Sequence, residues 1–371
     1  MAEDDDIEVE EGSSAEAPET PAPRENALLL GHEAAEASLL QSFAAGRLPH
    51  AWLITGPRGI GKATLAYRFA RFLFAEGAGE GGGLFNAPPT SLVVAPSHQA
   101  FRLVASGSHP DLLVVERGID PRRKRQRREI VAEDARAVGE FLHLTSSQGG
   151  WRVVIVDGAD VMNPHAANSL LKILEEPPKR TVLLLASDNP GRLLPTIRSR
   201  CRTLPLKPLA DGPISELLQR YRPELSREDG AALARLAAGS IGRALELAAG
   251  DGLAIYNFII NILQQLPKLD SELLHAFAER MARFGAEDSF SLLSELLPAE
   301  LARLVASAAQ NTALPAAEER ARRNLAGRRS LDQWVAVWEK LTHLFAQAEG
   351  INLDRKQVVL NAFFALEDAA R

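Results

Sequence analysis

A single cysteine, Cys201, stands in 371 residues, so no disulfide can form within the chain and no zinc site built on several thiolates is available. Histidine is sparse as well. The eight residues (32, 50, 98, 109, 143, 165, 275 and 343) are scattered, and no pair has the HExxH spacing that sets two imidazoles on one helical face. Metal hydrolysis through histidine ligands is therefore not expected. Long apolar runs are missing too, none approaching the roughly 18 residues that cross a bilayer. Residues 3–6 are Glu, Asp, Asp and Asp, where a secretory signal would carry basic residues and then an apolar stretch. A cytoplasmic protein without a membrane segment is expected.

What is present is ordinary usage for a folded chain, 46% hydrophobic and 24% charged, long enough for two or three domains. The net charge of −6 is unevenly spread: residues 1–25 hold ten acids against Arg24 alone, which leaves the rest of the chain at +3. That first stretch, rich also in Ala, Pro and Ser, has too little apolar surface to offset its ordering entropy and reads as a disordered acidic tail. A specific acidic docking arm is the sharper alternative.

From Leu28 to about Pro208, short apolar runs alternate with helical patterns. The strand candidates are 51–55 (AWLIT), 111–116 (DLLVVE), 151–157 (WRVVIVD), 181–187 (TVLLLAS) and 202–206 (RTLPL). Unbroken Val, Leu and Ile indicate strands covered on both faces, as in a parallel sheet between helix layers. The clearest helix begins with Asn163 as N-cap and Pro164 at its first position, carries Ala167, Leu170, Leu171 and Leu174 on one face, and stops before Pro177. After Pro208 the strand signal disappears. Ser226 with Asp229 resembles a helix cap, and Gly250-Asp251-Gly252 is the strongest breaker. The chain thus divides into the acidic tail at 1–25, an α/β domain at 26–208, a small helical domain at 209–250 and a larger helical domain at 251–371.

Two stretches fit this plan poorly. The glycine-rich 77–83 and the run to Ala105 read as a long mobile surface excursion. Residues 121–128, PRRKRQRR, place six basic side chains in eight positions without an aromatic for base stacking. This run is either a solvated loop or a phosphate contact.

Immediately after the first strand stands Gly56-Pro-Arg-Gly59-Ile-Gly61-Lys62-Ala63-Thr64, followed by a helical run to Phe74. The spacing from Gly56 to Gly61 and Lys62, at a strand-to-helix turn, is that of a P-loop, whose backbone amides and lysine cradle the phosphates of a nucleotide. Ala63 departs from it, because a Ser or Thr hydroxyl there would hold the magnesium ion, and Thr64 lies about 100° further round the helix. The third strand ends at Asp157, where a P-loop protein places the carboxylate that holds the metal and its water. An active AAA+ ATPase follows that acid with a glutamate base. Gly158 stands here instead, and Asp160 reads as a capping acid rather than a substitute base. With the metal hydroxyl and the catalytic carboxylate both missing, any bound ATP or ADP would be turned over very slowly. Arg198, Arg200 and Arg202 lead into the fifth strand, open to reading as a solvated edge or as an arginine finger for a neighbouring subunit's γ-phosphate.

HAWLITGPRGIGKATLA at 50–66, HPDLLVVE at 109–116, NSLLKILEEPP at 168–178, the SRC triplet at 199–201 and GSIGRALEL at 239–247 together resemble the clamp-loader AAA+ proteins of bacterial DNA polymerase III. The resemblance implies a P-loop AAA+ α/β/α domain, a small helical lid and a C-terminal helical collar that assembles five subunits. Within the family the motifs look like those of the non-motor, stator-like subunit. It partners gamma/tau and delta subunits in a hetero-pentamer that loads the sliding clamp on primed DNA during replication. Arg200 falls on the position of the trans arginine finger, and Arg243 on that of the family's second sensor arginine, which touches nucleotide in active subunits. The resemblance makes the chain part of a nucleotidyltransferase complex, with no polymerase activity of its own expected and little or no hydrolysis of ATP. Many members carry a four-cysteine zinc module after the first P-loop helix; this chain has no cysteines there, so no zinc is expected. An active P-loop ATPase motor of the same machine and a simple DNA-binding protein are the alternatives. Lys172, Glu175 and Glu176 of the LEEPP helix read equally as a contact with a neighbouring subunit or DNA, or as a solvated helix end.

Overall fold

The computed structural model describes residues 20–77, 89–120, 125–147, 149–283, 285–310, 313–326, 330–351 and 353–371. Most of the acidic tail, the glycine-rich 78–88 and residues 121–124 of the basic run lie outside them.

The chain forms two compact units, Met1–Ala244 and Leu245–Arg371. The first is built on five strands, β1 (Ala51–Thr55), β2 (Leu112–Val115), β3 (Arg152–Asp157), β4 (Thr181–Ser187) and β5 (Arg202–Pro205). All neighbours pair in parallel, in the order β2-β3-β4-β1-β5. Alternate side chains enter two separate cores. Trp52, Ile54, Val153, Ile155, Val182 and Leu184 face one side, where they meet α1 (Glu33–Ala44), α2 (Lys62–Gly77) and α3 (Gln99–Ala105). Leu53, Val154, Val156, Leu183 and Leu185 face the other, against α4 (Ala132–His143), α5 (Pro164–Glu175) and the short α6 (Pro195–Arg198). A strand buried on both faces has no polar alternation to show, and each fully buried Leu, Ile or Val contributes on the order of 1.5–3 kcal/mol. The result is a three-layer P-loop α/β/α domain.

The caps follow the sequence. Asn163 accepts the Ala166 amide at 2.9 Å ahead of Pro164, and α5 buries Ala167, Leu170 and Leu174 while Leu171 is half-buried. Two expectations need correcting. The excursion after the first P-loop helix is not irregular throughout, because α3 forms within it and buries Ala100, Phe101 and Val104. Within the basic run, Arg125–Gln126 pair with Ile119–Asp120 ahead of it in a two-residue antiparallel ladder, too short to leave an apolar signature.

The entry segment is strapped down by buried arginines of α2. Arg71 donates to the carbonyls of Arg24 and Asn26 and lies over the Phe101 ring at 4.3 Å, and Arg68 donates to Ala27 O. After β5 come α7 (Asp211–Tyr221), α8 (Arg227–Leu236, capped by Ser226) and α9 (Ile241–Ala249).

The second unit is helical among its described residues: α10 (Gly252–Gln265), α11 (Ser271–Ala282), α12 (Glu287–Gln310), α13 (Ala316–Ala326), α14 (Leu331–Ile351) and α15 (Arg355–Ala370). Phe258 stacks on Phe277 with centroids 3.6 Å apart, and Phe363 meets both edge-on. Two almost fully buried carboxylates, Glu300 and Glu318, share Arg303, and Tyr256 donates to Glu318. A buried carboxylate is tolerated when a guanidinium satisfies it in this way. No helix among the described residues is long and apolar enough to cross a membrane.

Candidate functional site

In an open parallel sheet, ligands bind at the carboxyl ends of the strands, near the point where strand order reverses. Gly56 leaves the end of β1, Asp157 closes β3, and Asp188 follows the last residue of β4. Because Thr55 and Ser187 are partners in the β1–β4 register, Asp188 emerges beside Gly56.

The loop from Gly56 to Gly61 needs its glycines for two different reasons. Gly56, Gly59 and Gly61 all have positive φ (145°, 75° and 108°). Gly59 also lies against Gly242, so that a Cβ on Gly242 would sit 2.9 Å from the Gly59 Cα. The Gly242 amide donates to Gly59 O at 2.9 Å, and Ser240 Oγ donates to Arg58 O at 2.8 Å while accepting the Arg243 amide. The start of α9 is therefore bolted to the loop, and Arg243 sits half-buried in its first turn. From the other side His32 Nε2 meets Ile60 O at 2.6 Å; a carbonyl only accepts, so that ring nitrogen carries the proton.

Lys62 is turned into the protein. Its ammonium donates to Gly56 O at 2.8 Å and Pro57 O at 2.6 Å, and pairs with Asp188 Oδ1 at 2.6 Å, with the lysine side chain only 7% exposed. An ammonium has three protons, and all three are engaged within the chain. Asp188 is held in turn by Asp160, whose carboxylate accepts the amides of Asp188 and Asn189 at 3.0 and 3.3 Å. Asp160 thus caps the loop after β4, the capping part expected of it. Burial pushes the Asp157 carboxyl above the usual range; Glu116 and Asp188 add to the rise and Lys62 opposes it.

Tested against a bound magnesium nucleotide, these residues do not fit as they stand. Lys62 has no proton left for a phosphate, Ala63 brings no hydroxyl, and Thr64, one place on, is itself buried. Gly158 is left-handed (φ 85°, ψ 50°), a conformation strained for any side chain, so a glutamate could not simply be restored there. Among the described residues no cluster of three or more His, Cys, Asp or Glu is arranged to hold a metal ion.

The three arginines before and in β5 part company. Arg198 is exposed on α6. Arg202 lies over the Trp52 ring at 4.9 Å and donates to Ser42 Oγ. Arg200 stands on a turn pinned by Ile197 and Cys201, both in the core, with burial pushing the Cys201 thiol up to about 12. Its guanidinium is 34% exposed, donates to Thr196 O at 3.0 Å and pairs with Glu175 Oε1 at 2.7 Å. Lys172, Glu175 and Glu176 are all exposed. Sequence reasoning missed Asp188 as the partner of Lys62; its one signal was an acid directly after the fourth strand.

Residues 31–210 match the model of the family described as "DNA polymerase III, delta subunit". The chain is 40% identical over 152 residues to the DNA polymerase III subunit delta′ of Pseudomonas aeruginosa, covering 41% of either chain. To subunit delta′ of Bacillus subtilis it is 35% identical over 219 residues, 58% of this chain and 59% of that one. Over residues 31–210 the chain is thus similar to the DNA polymerase III delta-prime subunits. It is also 28% identical over 284 residues to subunit tau of Escherichia coli, 74% of this chain and 40% of tau. The chain spans between about two fifths and three fifths of the length of these curated relatives. The delta-prime match covers the sheet, the glycine loop and the SRC turn, and ends just before α7.

Proposed function

We propose that this chain is a non-motor, stator-like subunit of the DNA polymerase III clamp loader. It works beside gamma/tau and delta subunits in a hetero-pentamer that places the sliding clamp on primed DNA. A small lid at 209–250 and a collar at 251–371 complete the subunit. The observation that supports this reading best is the opposite disposition of two cations: Lys62 is consumed inside the chain, while Arg200 is presented from an anchored turn.

Arg200 acts in trans on the adjacent gamma/tau site. When a γ-phosphoryl group transfers to water, charge spreads over its equatorial oxygens, and a fixed guanidinium beside them lowers the barrier; such a group is worth on the order of 10³ to 10⁵ in rate. Thr196 O and Glu175 limit the rotamers of a side chain that would otherwise lose considerable freedom on engaging phosphate. The chain's own loop does no chemistry, since it lacks the metal hydroxyl and the general base, and any ATP or ADP that enters stays intact. Zinc has no part in the subunit.

Arg200→Ala in the reconstituted loader is expected to leave assembly intact and to lower DNA-stimulated ATP turnover at the adjoining site at least about tenfold. An unchanged rate per site would refute the trans role. The match to tau keeps a motor reading open, and sustained magnesium-dependent hydrolysis by the purified chain alone would favour it. For direct DNA binding by the basic run the support is weaker, because Arg127 already lies 4.0 Å from Asp134. Residues 122–124 lie outside the described residues.

A further inference from the structure

The misfit between the glycine loop and a nucleotide has a specific author in the chain. We infer that Asp188 is a built-in counter-ion that takes the place of a phosphate on Lys62, holding the loop in its folded shape without nucleotide and selecting against triphosphates. The inference rests on the proposal that this subunit is not a motor, and deepens it by naming the residue that keeps its site out of use.

Four observations carry it. The contact is short, 2.6 Å, and its lysine is almost wholly buried, so the ammonium depends on partners within the chain rather than on water. The other two ammonium protons lie on carbonyls of the loop itself, at Gly56 and Pro57, which leaves the third as the one a ligand anion would need. Asp188 is placed by structure on both sides: the β1–β4 register brings it level with Gly56, and Asp160 holds the amides of 188 and 189. Its own side chain is 47% exposed, so the carboxylate stands on the solvent side of the lysine, across the path of an entering anion. A triphosphate would have to strip this carboxylate from Lys62 and then remain beside it, with the Asp157 carboxyl also at hand. Because Ala63 brings no hydroxyl, the loop has one fewer group to fix a magnesium ion that could neutralise this crowd of acids. Asp188 thus does for Lys62 what phosphate does in a working P-loop: it satisfies the buried cation.

The test is equilibrium binding of a fluorescent ATP analogue and of unlabelled ATP to the full-length chain, with magnesium, for wild type, Asp188→Asn and Asp188→Asn/Lys62→Met. Removing the competing carboxylate is expected to tighten ATP binding roughly tenfold or more, as for a charge-assisted hydrogen bond released to the ligand. The double variant should lose that gain, because the gain runs through Lys62. In parallel, ATP should raise the melting temperature of Asp188→Asn and not that of wild type. Equal affinities in wild type and Asp188→Asn, whether both tight or both undetectable, would overturn the inference, as would a gain that survives in the double variant. The Arg200→Ala assay on the neighbouring site is independent of these outcomes, so a failure here and a failure of the trans reading are told apart.

Discussion

Lys62 and Arg200 are each paired with a carboxylate of the same chain, at 2.6 and 2.7 Å, yet their surroundings set them apart. The lysine side chain is 7% exposed and spends its remaining protons on backbone carbonyls; the guanidinium is 34% exposed and pairs with Glu175, itself half in solvent. An exposed pair of the second kind is worth roughly 0.2–1 kcal/mol, little enough for a phosphate to displace. In the first pair the carboxylate is just as exposed, at 47%, but the lysine is not, so removing Asp188 leaves a nearly buried ammonium short of its counter-ion. On the proposed reading, the same chemical pairing closes one site and leaves the other open for use.

The contrast can be broken or sharpened at four places. The anchor under Arg200 gives the largest effect. With the Cys201 thiol pushed up to about 12 from 9.0, its thiolate fraction at pH 8 falls on the order of 10³-fold. Labelling by a thiol reagent should be correspondingly slow in the native protein and fast in denaturant; rapid native labelling would mean that the SRC turn opens. Next is the seal over the loop. Gly242→Ala drives a methyl to within 2.9 Å of the Gly59 Cα and should cost about 1–3 kcal/mol in denaturant unfolding.

Smaller is the effect at Asp157. Its folded-state pKa is raised, so the unfolded chain gives up the proton first. The favourable contribution of the protonated form is complete below the unfolded value near 3.8 and is lost as pH rises through the folded one. Asp157→Asn should therefore melt a few degrees higher than wild type at pH 7, with the gap narrowing as pH falls towards 3.8. The smallest change is expected for Glu175→Gln. Thr196 O still holds the guanidinium, so turnover at the neighbouring site should shift by less than about fivefold.

Much of this was legible in the chain itself, for physical reasons. Unbroken runs such as 181–187 and 152–157 announce strands buried on both faces, and the Asn163-Pro164 start names a helix because its cap chemistry is local. The glycine loop, too, is a contiguous pattern. What could not be read is whatever depends on partners distant in sequence. Lys62 and Asp188 are 126 positions apart, and Gly59 and Gly242 meet only because the start of α9 packs on the loop. The Ser187-Asp188-Asn189-Pro190 stretch reads as a turn, and a turn aspartate gives no sign that it will neutralise a lysine. Gly158 was legible as a missing carboxylate, but its left-handed backbone, which bars a simple reversion, was not.

The central claim is that this subunit serves its neighbour's nucleotide and not its own. It is tested most directly by ATP turnover, resolved per site, in loader rings assembled with either Lys62→Met or Arg200→Ala in this chain. The account predicts near wild-type turnover for the first ring and at least about a tenfold loss at the adjoining site for the second. A ring that stalls with Lys62→Met and runs normally with Arg200→Ala would contradict it.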